Sequence, residues 1–188
     1  MEKKSLRQQI RQLRSQIPDE SWIELCERIQ VNAITCIRSL KPSTIGIYIE
    51  SVKSREVSTK KLIDHCRENN IPIMIPKVID SNGWMIFTPF TSESTLKLNQ
   101  WHIPEVESAQ MDVDVVPELI IVPMLAGDIK GYRLGYGKGY YDRYLQDKKS
   151  IRVGLCPHDF VLNELPSDPF DQKLNFIITE QEIIRTNA

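Results

Sequence analysis

Residues 123–145 read PMLAGDIKGYRLGYGKGYYDRYL, and the residue types suited to handling phosphate are concentrated there. Gly131, Gly135, Gly137 and Gly139 place half of the chain's eight glycines within nine residues. Glycine reaches positive φ without strain and lets backbone N–H groups come close to a ligand. Successive N–H groups ahead of a helix form a nest for phosphate oxygens. Arg133 and Lys138 add cationic side chains, and Asp142 is a carboxylate able to hold Mg²⁺ against phosphate. By spacing alone, the glycines fit a tight turn equally well. Neither common nucleotide motif is present. G-x-x-x-x-G-K-S/T fails because Lys138 is followed by Gly139, and G-x-G-x-x-G fails because Tyr140 stands at the third glycine's place.

These residues need elements to position them. Leu119-Ile120-Ile121-Val122, immediately upstream, reads as a buried strand, and Gly139–Gln146 starts a helix. In an open α/β sheet, ligands collect at the carboxyl ends of strands, which is where this segment falls. Earlier in the chain, Thr44–Ile49 predicts a strand, Ser58 caps a helix through Arg67, and Ile71–Ile75 predicts a second strand closed by Pro76. Strand, helix and strand in about thirty residues form a βαβ unit with parallel pairing. Asn82-Gly83 is a hairpin signal ahead of Trp84–Thr88. Residues 91–116 are polar and irregular, with Trp101 their largest apolar side chain. Ile151–Leu155 and Leu174–Thr179 predict two further strands.

The first forty residues predict two helices. In residues 3–16, Leu6, Ile10, Leu13 and Ile17 form an apolar stripe, while Lys3, Arg7, Arg11 and Arg14 form a basic one. The basic stripe either binds an anion or is a solvated face. Pro18 ends this helix, and Asp19 is the expected N-cap of a second one running to about Leu40. Its apolar side carries Trp22, Cys26, Ile29, Ala33 and Ile37. The expected architecture is a single three-layer α/β/α domain over residues 1–188, with a mainly parallel, Rossmann-like open sheet and a helical N-terminal extension.

Composition narrows the function classes. Lys plus Arg total 24 against 25 for Asp plus Glu, a formal charge of −1, whereas nucleic-acid binders carry a positive excess. No nucleic-acid partner is expected. No apolar run approaches the roughly 20 residues of a membrane span, and the N-terminus does not read as a secretory signal. The four cysteines form no C-x-x-C pair and the three histidines have no metal-ligand spacing. A monomer with reduced thiols in the cytoplasm is expected.

Arg133–Leu145, RLGYGKGYYDRYL, resembles the R-L-G-x-G-x-G-Y-Y-D signature of the 5-formyltetrahydrofolate cyclo-ligase family. The likeness extends along the chain in order. Lys3–Arg7 resembles the family's K-x-x-L-R, Glu56–Thr59 its E-I/V-x-T, and Leu119–Asp128 its L-I-I/V-V-P-G-x-x-F-D. Leu165-Pro166, Asp171 and Ile177–Glu180 resemble its C-terminal L-P…D…I/V-I/V-T-E. The sequence departs from the pattern at Met124 (usually Gly), Gly127 (usually Phe), Asn175 (usually Asp), near Phe160 (a common Gln) and in a longer stretch over Glu50–Arg55.

The resemblance implies ATP-dependent closure of 5-formyltetrahydrofolate to 5,10-methenyltetrahydrofolate, with Mg²⁺, in three sets of residues. ATP contacts would come from Lys3, Lys4, Ser5, Leu6 and Arg7, and from Arg133, Leu134, Gly135, Tyr136, Gly137, Lys138, Gly139, Tyr140 and Tyr141. Folate contacts would come from Ile49, Glu56, Trp101, Tyr136, Gly137, Lys138, Gly139 and Tyr140. Asp142 and Asp171 would hold the metal, and Arg133, Lys138 and Tyr140 would be catalytic. Trp101 is either a stacking surface for folate or an anchor for its loop. Two other readings are a relative with the same ATP loop and another substrate, and a non-catalytic nucleotide- or RNA-binding module on this fold.

Overall fold

The structure is a computed structural model, and it describes residues 2–80, 83–98, 104–107 and 114–188. Two helices open the chain, α1 (Lys3–Gln16) and α2 (Asp19–Leu40), followed by β1 (Ile45–Gly46), α3 (Lys60–Glu68), β2 (Ile73–Val78) and β3 (Met85–Pro89). A short ribbon of β4 (Leu96–Leu98) and β5 (Pro104–Val106) precedes β6 (Leu119–Val122), β7 (Ala126–Asp128), β8 (Arg133–Leu134) and α4 (Tyr140–Leu145). The chain ends through β9 (Ile151–Leu155), β10 (Val161–Leu162), β11 (Phe176–Ile178) and β12 (Ile183–Arg185).

Among the described residues, seven strands form the main sheet in the order β12-β11-β9-β6-β1-β2-β3. The five inner strands pair in parallel, and the two edges are antiparallel. Alternation along β6 shows why both faces are covered. Leu119 and Ile121 join the core under α2 and α3, whereas Ile120 and Val122 join the core under α1 and α4. The expected three layers are present, but α1 and α2 are not an appendage. They lie on opposite faces and supply a helix to each layer, through Leu6 and Ile10 on one side and Trp22, Ile29 and Ile37 on the other.

Several local expectations change. Asp19 is the first residue of α2 rather than its cap; Pro18 occupies the cap position. The caps at α3 also differ: Thr59 is the N-cap, while the Ser58 hydroxyl donates to Glu50 at 2.8 Å. Pro76 lies within β2, not at its end, because β1 is only two residues long and leaves that flank of β2 without a ladder partner. The stretch expected to be irregular contains the β4–β5 ribbon, and β12 pairs at the opposite edge from β3. On α1 the apolar stripe runs through Arg14, which is 1% exposed, while Leu13 is 43% exposed.

β1 is the switch point of the sheet. From it the chain proceeds outward through β2 and β3, then returns to the other side of β1 with β6 and continues through β9 and β11. Loops leaving the carboxyl ends of β1 and β6 therefore diverge and open a crevice between them. Asp128 fixes the second of these loops. Its carboxylate accepts the backbone N–H groups of Lys130 (3.0 Å), Tyr132 (2.9 Å) and Leu165 (2.8 Å) at full burial. This anchors the turn that feeds β8 and the glycine segment.

The exchange of Met124 and Gly127 relative to the family pattern has a packing explanation. A Cβ at Gly127 would meet Met124 Cε at 2.7 Å and Ile177 Cδ1 at 2.8 Å, and one at Gly154 would overlap Met124 Sδ. Met124 is 2% exposed and fills the space that a larger residue at position 127 would need. Gly127→Phe should cost about 1–3 kcal/mol or more through overpacking. Adding Met124→Gly should recover at least about 1 kcal/mol relative to the sum of the single changes. Urea unfolding of the two single variants and the double variant measures this; strict additivity would mean that the two positions do not share one space.

Candidate functional site

A cleft of about 520 Å³ opens at the switch point. Its walls come from the loop after β1 (Ser51, Ser54, Glu56), from α1 (Lys3, Arg7, Arg11), and from Pro123 and the segment Arg133–Asp142; Asp168 and Asp171 close the far end. Gly137 and Gly139 have φ of 99° and 69°, the left-handed region where a side chain would be strained. A Cβ on Gly137 would lie 3.3 Å from the Arg7 guanidinium carbon, so the glycine also admits Arg7 to the loop. Arg7 Nε donates to the Gly135 carbonyl at 2.8 Å. Nothing lies within 4 Å of where a Gly135 Cβ would be, and the loop is open to the cleft there.

The cleft's charges are arranged in pairs. Arg133 donates to Asp142 at 2.8 Å and to the Gln172 carbonyl at 2.7 Å, and the Gln172 N–H donates to the same Asp142 oxygen at 3.2 Å. Lys3 reaches Asp168 at 2.6 Å and Asp171 at 2.5 Å. Burial alone would lower the Lys3 pKa, yet the hydrogen bonds and charges of the two aspartates raise it overall. Two tyrosine hydroxyls are buried in the lining: that of Tyr141 has no hydrogen-bond partner among the described residues, and that of Tyr136 faces the Glu56 carboxylate. Unpaired buried hydroxyls are costly and suit a polar ligand that completes them. Burial drives both phenols well above the ordinary tyrosine range, so they remain donors.

Glu56 also lines the cleft, beside Tyr136. Its carboxylate accepts the Ser51 N–H at 2.7 Å. Burial raises its pKa to about 7, partly countered by the Ser51 N–H and by the positive charge of Arg14, while Glu50 adds to the rise. Arg14 itself was not anticipated. Its guanidinium donates to the carbonyls of Arg55 (3.0 Å), Met124 (3.1 Å) and Leu125 (2.6 Å), between the rings of Trp22 and Phe160.

The family profile for 5-formyltetrahydrofolate cyclo-ligases matches residues 1–180. The chain belongs to that family. It is 33% identical to a probable 5-formyltetrahydrofolate cyclo-ligase of Schizosaccharomyces pombe, over 92% of this chain and 90% of that one. It is 28% identical to the cyclo-ligase of Haemophilus influenzae, over 92% and 94% of the two chains. The solved 5,10-methenyltetrahydrofolate synthetase of Aquifex aeolicus superposes with a TM-score of 0.82 at 27% identity, covering all of this chain and 94% of that one. The corresponding Mycoplasma pneumoniae structure gives 0.73 at 25% identity, covering 96% and 99%.

The fold brings most of the residues suggested by the cyclo-ligase signature to one place. Lys3, Arg7, Glu56, Arg133, Gly135–Tyr141, Asp142 and Asp171 all line the cleft. Others lie elsewhere. Lys4 and Ser5 are exposed on α1 outside the lining, Leu6 and Leu134 are core residues, and Ile49 packs against the core under α2 and α3. The reason is helical and strand periodicity: within a contiguous motif, neighbouring residues point to different faces. Trp101 lies outside the described residues. Asp168, Ser51 and Ser54 line the cleft unannounced by any motif.

The donor set fits Mg²⁺ held jointly with phosphate. Asp142 and Asp171 are hard oxygen donors on one cleft, and no cluster of three or more metal-binding side chains occurs among the described residues. Two carboxylates with phosphate oxygens and water are the usual company of this ion. No helix among the described residues is long and apolar enough to cross a membrane. The four cysteines are all buried and unpaired.

Glu56 makes stability depend on pH. In the fold it holds its proton to about pH 7, against an ordinary value of 4.5. Below about 4.5 the burial carries no charge penalty; between about 4.5 and 7 stability falls as pH rises, and above 7 the loss is complete. Glu56→Gln should therefore gain stability over the parent protein on going from pH 5 to pH 8. Urea midpoints at the two pH values test this, and an unchanged difference would show that Glu56 titrates normally.

Proposed function

We propose that this chain converts 5-formyltetrahydrofolate to 5,10-methenyltetrahydrofolate, with ATP cleaved to ADP and phosphate. The observation that carries the reading is one cleft that holds both a cation-lined glycine loop and a half-buried carboxyl, Glu56, beside it. The chemistry asks for both. A formamide carbonyl is a weak electrophile and its oxygen a poor leaving group. Transfer of the γ-phosphoryl group to that oxygen, attack by N10 and loss of phosphate overcome both difficulties. Phosphoryl transfer needs positioning and charge neutralisation more than covalent help from the protein.

In this reading, the N–H groups of Gly135–Gly139 cradle the phosphates, with Arg7 and Lys138 as cationic neighbours. Arg133, at 7% exposure, acts chiefly by holding Asp142 in place. Asp142 and Asp171 would hold Mg²⁺, which when bound neutralises phosphate charge. Lys3, now shared by Asp168 and Asp171, is then displaced toward the phosphates. Glu56, beside the Tyr136 hydroxyl, accepts hydrogen bonds from the pterin ring, and the unpaired hydroxyl of Tyr141 donates to the folate. Tyr140 faces the cleft with its ring beneath the Arg143 guanidinium, 5.7 Å away. The whole site is built from one chain, consistent with a single-domain monomer over residues 1–188. Four reduced thiols are consistent with the cytoplasm.

The direct test is the near-ultraviolet absorbance of methenyltetrahydrofolate. It should appear from 5-formyltetrahydrofolate only with ATP and a divalent cation, with phosphate released in step. Turnover without nucleotide, or none with the formyl folate, would refute the assignment.

A variant series tests the role of α1. Arg7→Ala removes a charge-assisted contact worth roughly 1.5–3 kcal/mol, so KM for ATP should rise about tenfold or more while KM for the folate changes less. Lys3→Ala should act in the same direction, and Gln9→Ala, exposed on the same helix, should not. Equal KM values for ATP across the three would reduce α1 to a packing element.

A further inference from the structure

We infer that Arg143, which does not line the cleft, is a positioning residue for it: Arg143 ties the Lys138 carbonyl to the turn between β2 and β3 and so keeps the Gly139 N–H aimed at bound phosphate. The inference rests on the proposed use of ATP and adds how the glycine loop is held ready. Arg143 projects from α4 and is absent from the cleft lining, to which Lys138 and Gly139 both belong. Its Nη2 donates to two carbonyls from separate segments, Lys138 at 3.0 Å and Gly83 at 3.1 Å, and its Nε donates to Gly83 at 3.3 Å.

Two glycines make room for this contact, one on each side. Gly83 has φ of 85°, and a Cβ there would overlap the Arg143 guanidinium and lie 2.6 Å from the Tyr140 ring. A Cβ on Gly139 would lie 2.9 Å from Arg143 Nη1. The glycine of the hairpin signal therefore admits Arg143 as well as turning the chain. The turn is braced on its own side. Gly83 N–H donates to the Asp80 carbonyl at 3.3 Å, and Trp84 N–H donates to the Asp80 carboxylate at 2.9 Å. Gly83 thus offers Arg143 a fixed acceptor.

The consequence for the loop follows from peptide geometry. The peptide joining Lys138 to Gly139 is trans and planar, so its C=O and N–H point in opposite directions. With the carbonyl drawn to Arg143, outside the cleft, the Gly139 N–H is turned the other way. Glycines on both sides of Lys138 leave this peptide free to rotate, and a flipped peptide would present a carbonyl oxygen to phosphate in place of a donor. Arg143 opposes that flip, and a donor aimed in advance costs no reorganisation when the anion arrives.

The test titrates inorganic tripolyphosphate into protein labelled with ¹⁵N-glycine. In the parent protein the Gly139 amide proton should move downfield as tripolyphosphate binds, while that of Gly154, buried in β9, stays in place. Arg143→Ala should weaken tripolyphosphate binding about tenfold or more, the scale of one misdirected backbone donor, and the Gly139 amide should move less even at saturation. Gly83→Ala, which displaces the same guanidinium from the other segment, should act in the same direction, and the double variant should be no weaker than the worse single one. Arg143→Lys keeps the charge but not the fork that spans two carbonyls, and it guards against a folding defect; its affinity should fall between the parent and Arg143→Ala. Unchanged tripolyphosphate affinity with a lowered urea midpoint would overturn the inference, because Arg143 would then only staple the fold. Weaker binding with the full Gly139 shift at saturation would overturn it too, because the N–H would be aimed without Arg143. The parent protein assayed alongside separates the two readings. If it shows the expected pattern yet makes no methenyltetrahydrofolate, the positioning role stands and the proposed reaction falls.

Discussion

A buried guanidinium holds this architecture together. Arg14 is 1% exposed, and its two terminal nitrogens donate to the carbonyls of Arg55, Met124 and Leu125, while Nε has no partner among the described residues. Those carbonyls belong to the loop after β1 and the segment after β6, the two strands that flank the sheet's switch point. A cation without a carboxylate at ion-pair distance is tolerable only if the surroundings supply dipoles, and here three carbonyls and two aromatic faces do so. Because Arg14 projects from α1, the helix that also carries Lys3 and Arg7, one residue fixes the helix and both walls of the cleft in common register. Its charge also favours the ionised form of Glu56, against the burial that opposes it.

The cleft is preorganised by mutual neutralisation. Lys3 with Asp168 and Asp171, and Arg133 with Asp142, leave no isolated buried charge in the absence of nucleotide. Left unpaired, charges in a partly buried cleft would each lose solvation without compensation. The same arrangement lets an anion and a cation enter together, each taking one member of a pair, so that nucleotide and metal are expected to bind cooperatively. The Tyr141 hydroxyl, buried without a partner among the described residues, leaves room for a ligand to complete its hydrogen bonding.

The single-residue departures from the family pattern fall outside the cleft lining, whereas the longer Glu50–Arg55 stretch supplies Ser51 and Ser54 to it. Met124 and Gly127 exchange bulk across one contact, with Gly154 making further room. Asn175 accepts the Arg152 N–H at 2.8 Å and ties β9 to the approach of β11. Phe160 lies in the core, with the Arg14 guanidinium 5.3 Å from its ring. Each is a local solution to packing, and the face presented to ligand keeps Glu56, the glycine loop and both carboxylates.

Much was legible from the sequence alone. Periodicity located α1, α2, β6 and β9, because an apolar face must repeat with the period of its element. The glycine spacing and its neighbours marked the cleft, because glycine takes the left-handed conformations of Gly137 and Gly139 without the strain a side chain brings. Distances in space were not legible. That Arg14 is buried while Leu13 is exposed depends on carbonyls some 40 and 110 residues away. That Lys3 meets Asp171 depends on the strand order bringing the two ends of the chain to one crevice. Local chemistry determines which conformations and partners a residue can accept. Only the packed sheet and its switch point decide which of those partners arrive, because that choice is made by contacts between segments far apart in the chain.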